Sequence, residues 1–454
     1  MKKNDIIKVL IKDVIFPNKG IAYIESQKII LKGGIQGQKV KARITKKKKN
    51  KIEASILEVL EPSPIEISPK CEHFGQCGGC TFQNIPYNHQ LNMKSQQVKR
   101  ILEEANIKDY EFLGIEPSPL QYAYRSKMEF SFGDTIKDGP LTLGMHHKGK
   151  FYEIITTHNC QIVDQDFNKI LKAVLEFFQE KKIPYFHKKT HQGSLRHLVI
   201  RKSYKTSQLL INLVTTSQQK LPLDLFREKL LSLSLSGKIM GILHTINDNL
   251  ADIVQSDETK ILYGQDFITE KILGLSFNIS AFSFFQTNSL GAEKLYSTVR
   301  DFAGSTKNKV IFDLYCGTGT IAQIMAPIAK KVIGIEIVDE AVESAKKNAS
   351  LNGLTNCHFI AGDVMEKIKE LNEKPDLIIL DPPRAGIHPK AIHKIIDFGP
   401  QKFIYVSCKP TSLAIDLPIF IEKGYKITKI QCIDMFPHTP HVETVVELES
   451  SSQK

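Results

Sequence analysis

From Lys309 onward one rhythm repeats five times: a short, uninterrupted apolar run, then an amphipathic stretch. The runs are KVIFDLY, KVIGIEI, CHFIAG, PDLIIL and KFIYVS. A strand without polar alternation must be buried on both faces, which a parallel sheet with helices on each side provides. The pattern predicts an α/β, doubly wound, Rossmann-like domain across residues 281–454. The final elements, YKITKIQCIDMF and VETVVEL, have no helix between them and predict an antiparallel edge hairpin.

In such a sheet, ligands bind at the carboxyl ends of the strands. The first strand runs into Asp313-Leu314-Tyr315-Cys316-Gly317-Thr318-Gly319-Thr320, where Gly317 and Gly319 let the backbone approach a ligand. The second ends in Glu336, 19 residues after Gly317, placed to accept hydrogen bonds from ribose hydroxyls. A nicotinamide dinucleotide is the rival ligand. Its fingerprint asks for a third glycine where Ala322 stands, although alanine is sometimes allowed there. Asp313 weighs against it, because a carboxylate repels a pyrophosphate and attracts a sulfonium or amino group. The expected cofactor is S-adenosylmethionine.

The fourth strand ends in Asp381-Pro382-Pro383-Arg384-Ala385-Gly386 and the fifth in Ser407-Cys408-Lys409-Pro410. Asp381 and Cys408 are therefore expected to face the cavity of the glycine turn. An arbitrary cysteine is more often a buried structural thiol, but one at a crevice-facing strand end is a candidate nucleophile. Carbon-5 of uracil needs such a group. A thiolate adding to carbon-6 creates an enolate that can take up a methyl group, and a base must then remove the carbon-5 proton. The base candidate, Glu443, opens the last strand after Pro437-His438-Thr439-Pro440-His441-Val442, although composition does not select it. His438 and His441 are read as orienting that loop or contacting RNA.

Residues 1–61 carry five short apolar stretches broken by Pro17-Asn18-Lys19-Gly20 and Gly33-Gly34, which predicts a small β-barrel. The run Lys46-Lys47-Lys48-Lys49-Asn50-Lys51 reads as one connection, with a solvated loop and a phosphate contact both open. Glu61-Pro62-Ser63-Pro64 reads as a linker, and a helix is expected from His89 to Glu104. The central region, 62–280, mixes strand-like segments with a helix over Phe167–Gln179 and is expected to be α+β. Within it Cys71, Cys77 and Cys80 form C-x5-C-x2-C, with Cys160 the candidate fourth ligand. Such thiolates suit an iron–sulfur cluster or tetrahedral zinc, and the spacing leaves both open. It is not the C-x3-C-x2-C of radical enzymes.

The formal net charge of +12 suits a polyanionic partner. The charged opening MKKNDIIKVLIKD and the lack of a long apolar run predict no signal peptide, no membrane span, a cytoplasmic location and reduced cysteines.

The motifs Cys71-x5-Cys77-Gly78-Gly79-Cys80, Phe285-Gln286-Thr287-Asn288, DLYCGTG, DPPRAG, SCKP and HVETVVEL span nearly the whole chain. On them the sequence resembles the RNA uracil-carbon-5 methyltransferases, specifically the 23S ribosomal RNA branch. The resemblance implies Cys408 as nucleophile and Glu443 as general base. It places Gln286, Tyr315, Glu336 and Asp381 against cofactor or target base, with Asp363 on the adenine side. It implies a 4Fe-4S cluster on Cys71, Cys77, Cys80 and Cys160, and a TRAM domain, an OB-like barrel that grips RNA, in residues 1–61. Family members commonly have Asn or Asp after the nucleophile, where this chain has Lys409. The target uridine must leave its stack. Tyr122, Tyr124, Arg125, Lys127, Arg196 and Arg201 are collectively candidates for stacking and phosphate contact, although each aromatic taken singly reads as core. The expected substrate is 23S ribosomal RNA, and no protein partner is inferred for what is expected to be a monomer. The alternatives are transfer RNA, an exocyclic amine (whose methylation uses no cysteine), or a metal-cluster RNA-binding protein with an inactive core.

Overall fold

The computed structural model describes residues 1–48, 51–250, 258–371 and 373–451. Its N-terminal unit has six strands: β1 (Ile6–Leu10), β2 (Asp13–Ile15), β3 (Lys19–Ile24), β4 (Gln27–Lys32), β5 (Lys39–Lys48) and β6 (Lys51–Glu61). They pair in the order β1-β5-β6-β4-β3-β2, antiparallel except for β4 with β6. Alternation turns Ile7, Val9, Leu31, Val40, Ala42, Ile44 and Ile52 into one core. The basic run is not a loop between strands. Lys46 to Lys48 continue β5 as exposed strand and Lys51 opens β6, while Lys49 and Asn50 lie outside the described residues.

Helix α1 (Tyr87–Glu104) joins this unit to the C-terminal one. The Gln97 amide donates to the Val14 carbonyl at 3.0 Å and Arg100 reaches Asp13 at 2.5 Å. On the opposite side Val98 and Leu102 enter the core of the C-terminal sheet. The next strand, β7 (Glu111–Glu116), also belongs to that sheet.

The central sheet has seven strands: β8 (Lys127–Gly133), β9 (Thr142–His146), β10 (Ile154–Thr156), β11 (Leu195–Lys202), β12 (Gln208–Thr215), β13 (Lys238–Ile246) and β14 (Glu258–Gly264). Their order is β10-β9-β8-β11-β12-β13-β14. Helices α2 (Gln165–Glu180) and α3 (Leu223–Leu231) supply Phe167, Leu171, Phe178 and Phe226 to the core under it. A hairpin, β15 (Phe267–Ile272) and β16 (Leu275–Ser280), leads out.

The C-terminal unit contains α4 (Ser289–Ala303), β17 (Val310–Leu314), α5 (Thr320–Met325), β18 (Lys331–Glu336), α6 (Asp339–Leu351), β19 (Cys357–Ala361), α7 (Val364–Lys367), β20 (Leu377–Leu380), α8 (Pro389–Ile396), β21 (Lys402–Ser407), α9 (Pro410–Glu422), β22 (Tyr425–Ile433) and β23 (Glu443–Ser450). The sheet order is β19-β18-β17-β20-β21-β23-β22-β7. The first five of these strands are parallel, as their apolar runs predict. Ile311, Val332, Leu377 and Ile379 pack on one face with residues of α4, α5 and α6. Phe312, Ile333, Ile378 and Leu380 pack on the other with residues of α1, α8 and α9. The antiparallel hairpin forms, but β23 inserts between β21 and β22, and β7 takes the edge, parallel to β22. Among the described residues no helix is long and apolar enough to cross a membrane.

The loop between β22 and β23 is clamped by α1. Lys94 and Asp434 form a fully buried ion pair at 2.6 Å, and the same ammonium donates to the Phe436 carbonyl at 3.1 Å. Tyr87 donates to the other Asp434 oxygen at 2.8 Å. Lys94→Ala strands a buried carboxylate and is expected to cost about 3–5 kcal/mol in urea unfolding. Adding Asp434→Asn, which removes the stranded charge, should recover part of the loss.

Candidate active site

The end of β17 is conformationally demanding. Tyr315, Gly317 and Gly319 have φ of +66°, +52° and +70°. For Tyr315, a non-glycine residue, this stores strain on the order of 1 kcal/mol. A Cβ at Gly319 would come within 2.4 Å of the Phe359 ring, so that glycine is sterically required. A Cβ at Gly317 would meet nothing within 4 Å, which leaves its backbone open to a ligand. Asp313 is fully buried at the same strand end. One carboxylate oxygen accepts the Ala322 N–H at 2.8 Å, and the other has no partner. Burial, then the nearby Asp381, pushes this carboxyl well above its ordinary range. The donor it lacks is what a cationic amino group would bring, and a sulfonium would add positive charge nearby, so the residues fit S-adenosylmethionine.

Glu336 is turned inward onto backbone. It accepts N–H groups from Gly317 at 2.9 Å, Ile337 at 2.8 Å and Val338 at 3.0 Å, bracing the glycine turn against the second strand. Asp363 is exposed, caps α7 by accepting the Met365 N–H at 2.7 Å, and faces Tyr315. Burial first, and Asp363 second, pushes the Tyr315 phenol up to about 12. Gln286 lies half-buried in the loop after β16, which crosses the glycine turn where Thr318 donates to the Phe284 carbonyl at 3.3 Å.

Cys408 and Glu443 are neighbours across two strands. Ser407 is paired with Thr444, so the residues just beyond them emerge side by side. Asp381 immediately follows the adjacent β20, its N–H 3.4 Å from the Leu314 carbonyl. Burial pushes the Cys408 thiol up to about 11, with Glu443 and Asp381 adding to it. Arg384 opposes this shift from within hydrogen-bond reach of the sulfur. Burial, then Asp381, pushes Glu443 up to about 8, and Arg384 again opposes. Burial pushes Asp381 up to about 7.

Arg384 is the cation that sequence reasoning missed. It was visible in DPPRAG, and Lys409 stood closer in sequence to the thiol. The Lys409 side chain is exposed, however, and its backbone N–H bonds to the Ser407 hydroxyl at 3.2 Å. Asp416 was also missed. It accepts the Ile387 N–H at 2.9 Å and the Tyr405 hydroxyl at 2.6 Å, and a Cβ at Gly386 would approach it to 2.8 Å, so it braces the loop bearing Arg384.

The histidines hold the loop. The His438 carbonyl accepts N–H groups from Thr81 at 2.7 Å and Phe82 at 2.9 Å, and its own N–H donates to Gln90 at 2.9 Å. Burial pulls its imidazole down to about 4, and burial also lowers His441, so both rest neutral. Two of the candidate RNA contacts, both arginines, are structural instead, and Tyr124 lies in the core as an aromatic taken singly was expected to. Arg196 is buried and donates to the carbonyls of Asn247 at 2.8 Å and Asn249 at 2.5 Å. Arg201, also buried, donates to the carbonyls of Ala281 and Ser283. Tyr124 is buried with its hydroxyl on the Pro437 carbonyl at 3.1 Å. A guanidinium satisfied by carbonyls in the interior is not offered to phosphate. Tyr122 stays half-exposed, tilted against the His438 ring at 4.5 Å and under Lys70. Arg125 is half-exposed, and Lys127 pairs with Glu129 at 2.5 Å.

Cys71, Cys77, Cys80 and Cys160 line one cavity with Phe74, Met128, Met145 and Ile162, and none is in a disulfide. Burial chiefly pushes Cys80 up to about 12 and Cys160 up to about 11, and neighbouring thiols add to both shifts. Four soft donors around an apolar cavity fit a metal centre, whose positive charge would offset both effects.

The doubly wound sheet and the ligand-ready turn define an S-adenosylmethionine-dependent methyltransferase. Residues 86–451 match the family described as tRNA (uracil-5-)-methyltransferase, and residues 2–57 match the TRAM domain. The chain belongs to that RNA uracil-5-methyltransferase family, with RNA as its substrate and S-adenosylmethionine as its methyl donor. It is 53% identical over 451 residues to an uncharacterized RNA methyltransferase of Caldanaerobacter subterraneus subsp. tengcongensis, covering 99% of this chain and 100% of the relative. It is 55% identical over 448 residues to one of Clostridium tetani, covering 99% and 98%. Among solved structures it is similar to Pyrococcus abyssi tRNA (uracil-54, C5)-methyltransferase in complex with S-adenosyl-L-homocysteine. The TM-score is 0.77 and the identity 26%, over 97% of this chain and 99% of that one.

With the thiol near 11, alkylation of Cys408 by iodoacetamide should accelerate about tenfold per pH unit between pH 7 and 10, because only the thiolate reacts. Arg384→Ala should slow it at every pH in that range. Peptide mapping by mass spectrometry reads both.

Proposed function

We propose that the chain methylates carbon-5 of a uridine in 23S ribosomal RNA, with Cys408 as nucleophile and Glu443 as general base. The observation that carries this reading is the pairing of Ser407 with Thr444, which sets thiol and carboxyl side by side at the strand ends that carry the glycine turn. S-adenosylmethionine supplies an electrophilic methyl group. The Cys408 sulfur gives up its proton to solvent and adds to carbon-6 of the uracil, moving electron density through carbon-5 to the 4-oxygen. Arg384 favours the thiolate, as does the N-terminus of α9, which begins two residues after Cys408. Carbon-5 takes the methyl group. The Glu443 carboxylate then removes the carbon-5 proton, the ring double bond re-forms, and the bond between sulfur and carbon-6 breaks.

RNA containing 5-fluorouridine blocks the last step, because fluorine cannot leave as a cation. An adduct should map to Cys408, and Cys408→Ala should form none. Glu443→Gln should accumulate the adduct with ordinary RNA, because elimination lacks its base. An adduct on another residue, or turnover by Cys408→Ala, would overturn the reading. Glu443 acts ionised and its carboxyl is raised to about 8, so the fall of turnover with falling pH, already set by the Cys408 thiol, should steepen below pH 8. Adduct formation by Glu443→Gln should show no break at that pH.

The cysteine set and the motif likeness support the ribosomal substrate. A second reading, transfer RNA, is favoured by the Pyrococcus abyssi enzyme, whose named substrate is transfer RNA and whose match spans nearly all of this chain. Methyl incorporation into 23S and transfer RNA transcripts compared side by side decides between them. For the cysteine centre we propose a 4Fe-4S cluster, held by Cys71, Cys77, Cys80 and Cys160. Anaerobically purified protein should contain iron, sulfide and a visible absorbance, all lost in Cys80→Ser. Zinc without colour would overturn this.

A further inference from the structure

We propose that Phe151 and Tyr152 form a stacking platform for unpaired bases of the RNA, held in place by the cysteine loop. The two rings lie in the turn between β9 and β10 and are 63% and 54% exposed. Exposed aromatics this large need a reason on a surface otherwise rich in lysine. Here they are arranged together. They meet edge to face at 5.1 Å, and His146 stacks on Phe151 at 5.9 Å. Lys188 lies over the Phe151 ring and Lys189 over the Tyr152 ring, each at 4.6 Å.

The chemistry selects the occupant. A π-face flanked by ammonium groups suits a nucleobase with its phosphate: the base takes the ring, and the lysine shifts to the adjoining charge. A duplex keeps its bases stacked inside and offers no free face, so the platform takes single-stranded RNA. An apolar protein partner would not call for two cations over the rings.

The support under the platform connects it to both centres described above. The Gly78 N–H donates to the His146 carbonyl at 3.0 Å, and the Lys148 N–H donates to the Gln76 carbonyl at 2.6 Å. Cys77 and His147 form a β-bridge. A few residues on, Thr81 and Phe82 hold the His438 carbonyl in the loop that ends at Glu443. The segment 76–82 therefore ties the platform on one side and the Glu443 loop on the other, with Cys77 and Cys80 between them. The backbone of this segment thereby sets the distance between the platform and the Glu443 loop.

The inference rests on RNA being the substrate and not on the chemistry of Cys408. The chain contains no tryptophan, so Phe151→Trp introduces a single reporter. A single-stranded oligoribonucleotide of adenosine and uridine should quench its emission, while a duplex of the same sequence should not. Phe151→Ala with Tyr152→Ala should weaken single-strand affinity by roughly tenfold or more, in keeping with base–aromatic stacking. S-adenosylmethionine affinity should stay unchanged, which reports the fold. The proposal is overturned by unaltered emission when anisotropy shows the oligonucleotide bound, or by unaltered affinity in the double variant. It is also overturned by ultracentrifugation in which the parent chain dimerises and the double variant does not. Because the readout is binding, a chain that forms no adduct with 5-fluorouridine still reports on the platform.

Discussion

The pairing of Lys94 with Asp434 in the absence of water organises the rest of the molecule. Removing both charges from solvent is expensive, and the geometry offsets it by giving Asp434 a second donor in Tyr87 and Lys94 a second acceptor in Phe436. Burial pulls the lysine below its ordinary range while Asp434 opposes. What the pair secures is position. It locks α1 to the loop after β22, and that loop carries His438, His441 and finally Glu443. The same helix bonds the N-terminal strands through Gln97 and Arg100. One helix thus fixes the N-terminal barrel, the segment around Phe82 and the loop that leads to Glu443 relative to the sheet.

The electrostatics of the strand ends follow from crowding. Asp313, Asp381 and Glu443 converge where water is scarce, and each carboxyl is raised by burial. Such a cluster is costly without a ligand and favours positive charge. The methyl donor is itself a cation, so the site's acidity favours binding it. Arg384 is the counterweight at the thiol, and Asp416 and the lack of a side chain at Gly386 hold the loop that presents it.

The parallel strands were legible because burial on both faces leaves no polar residue to confuse the reading, and their ends fell where the motifs did. Cys408 and Asp381 followed from that placement. Glu443 did not, since an acid at a strand start is ordinary until the register with β21 is known. The edge strand β7 escaped because its partner lies more than 300 residues away and its half-exposed pattern resembles any edge. Arg196 and Arg201 were misread for a related reason: their acceptors are carbonyls far along the chain. The lysine run was misjudged because strand pairing can carry charged residues on its solvent face as readily as apolar ones.

The placement of β7 has a further meaning. The catalytic sheet is built from two stretches of chain, one ending at Glu116 and the other resuming at α4, and the central sheet is threaded between them. Cutting the chain before Ser289 would bare the outer edge of β22, whose backbone groups pair with β7. The enzyme therefore resists dissection into modules: its reacting half is sealed by a ribbon that arrives before the middle of the chain has been made.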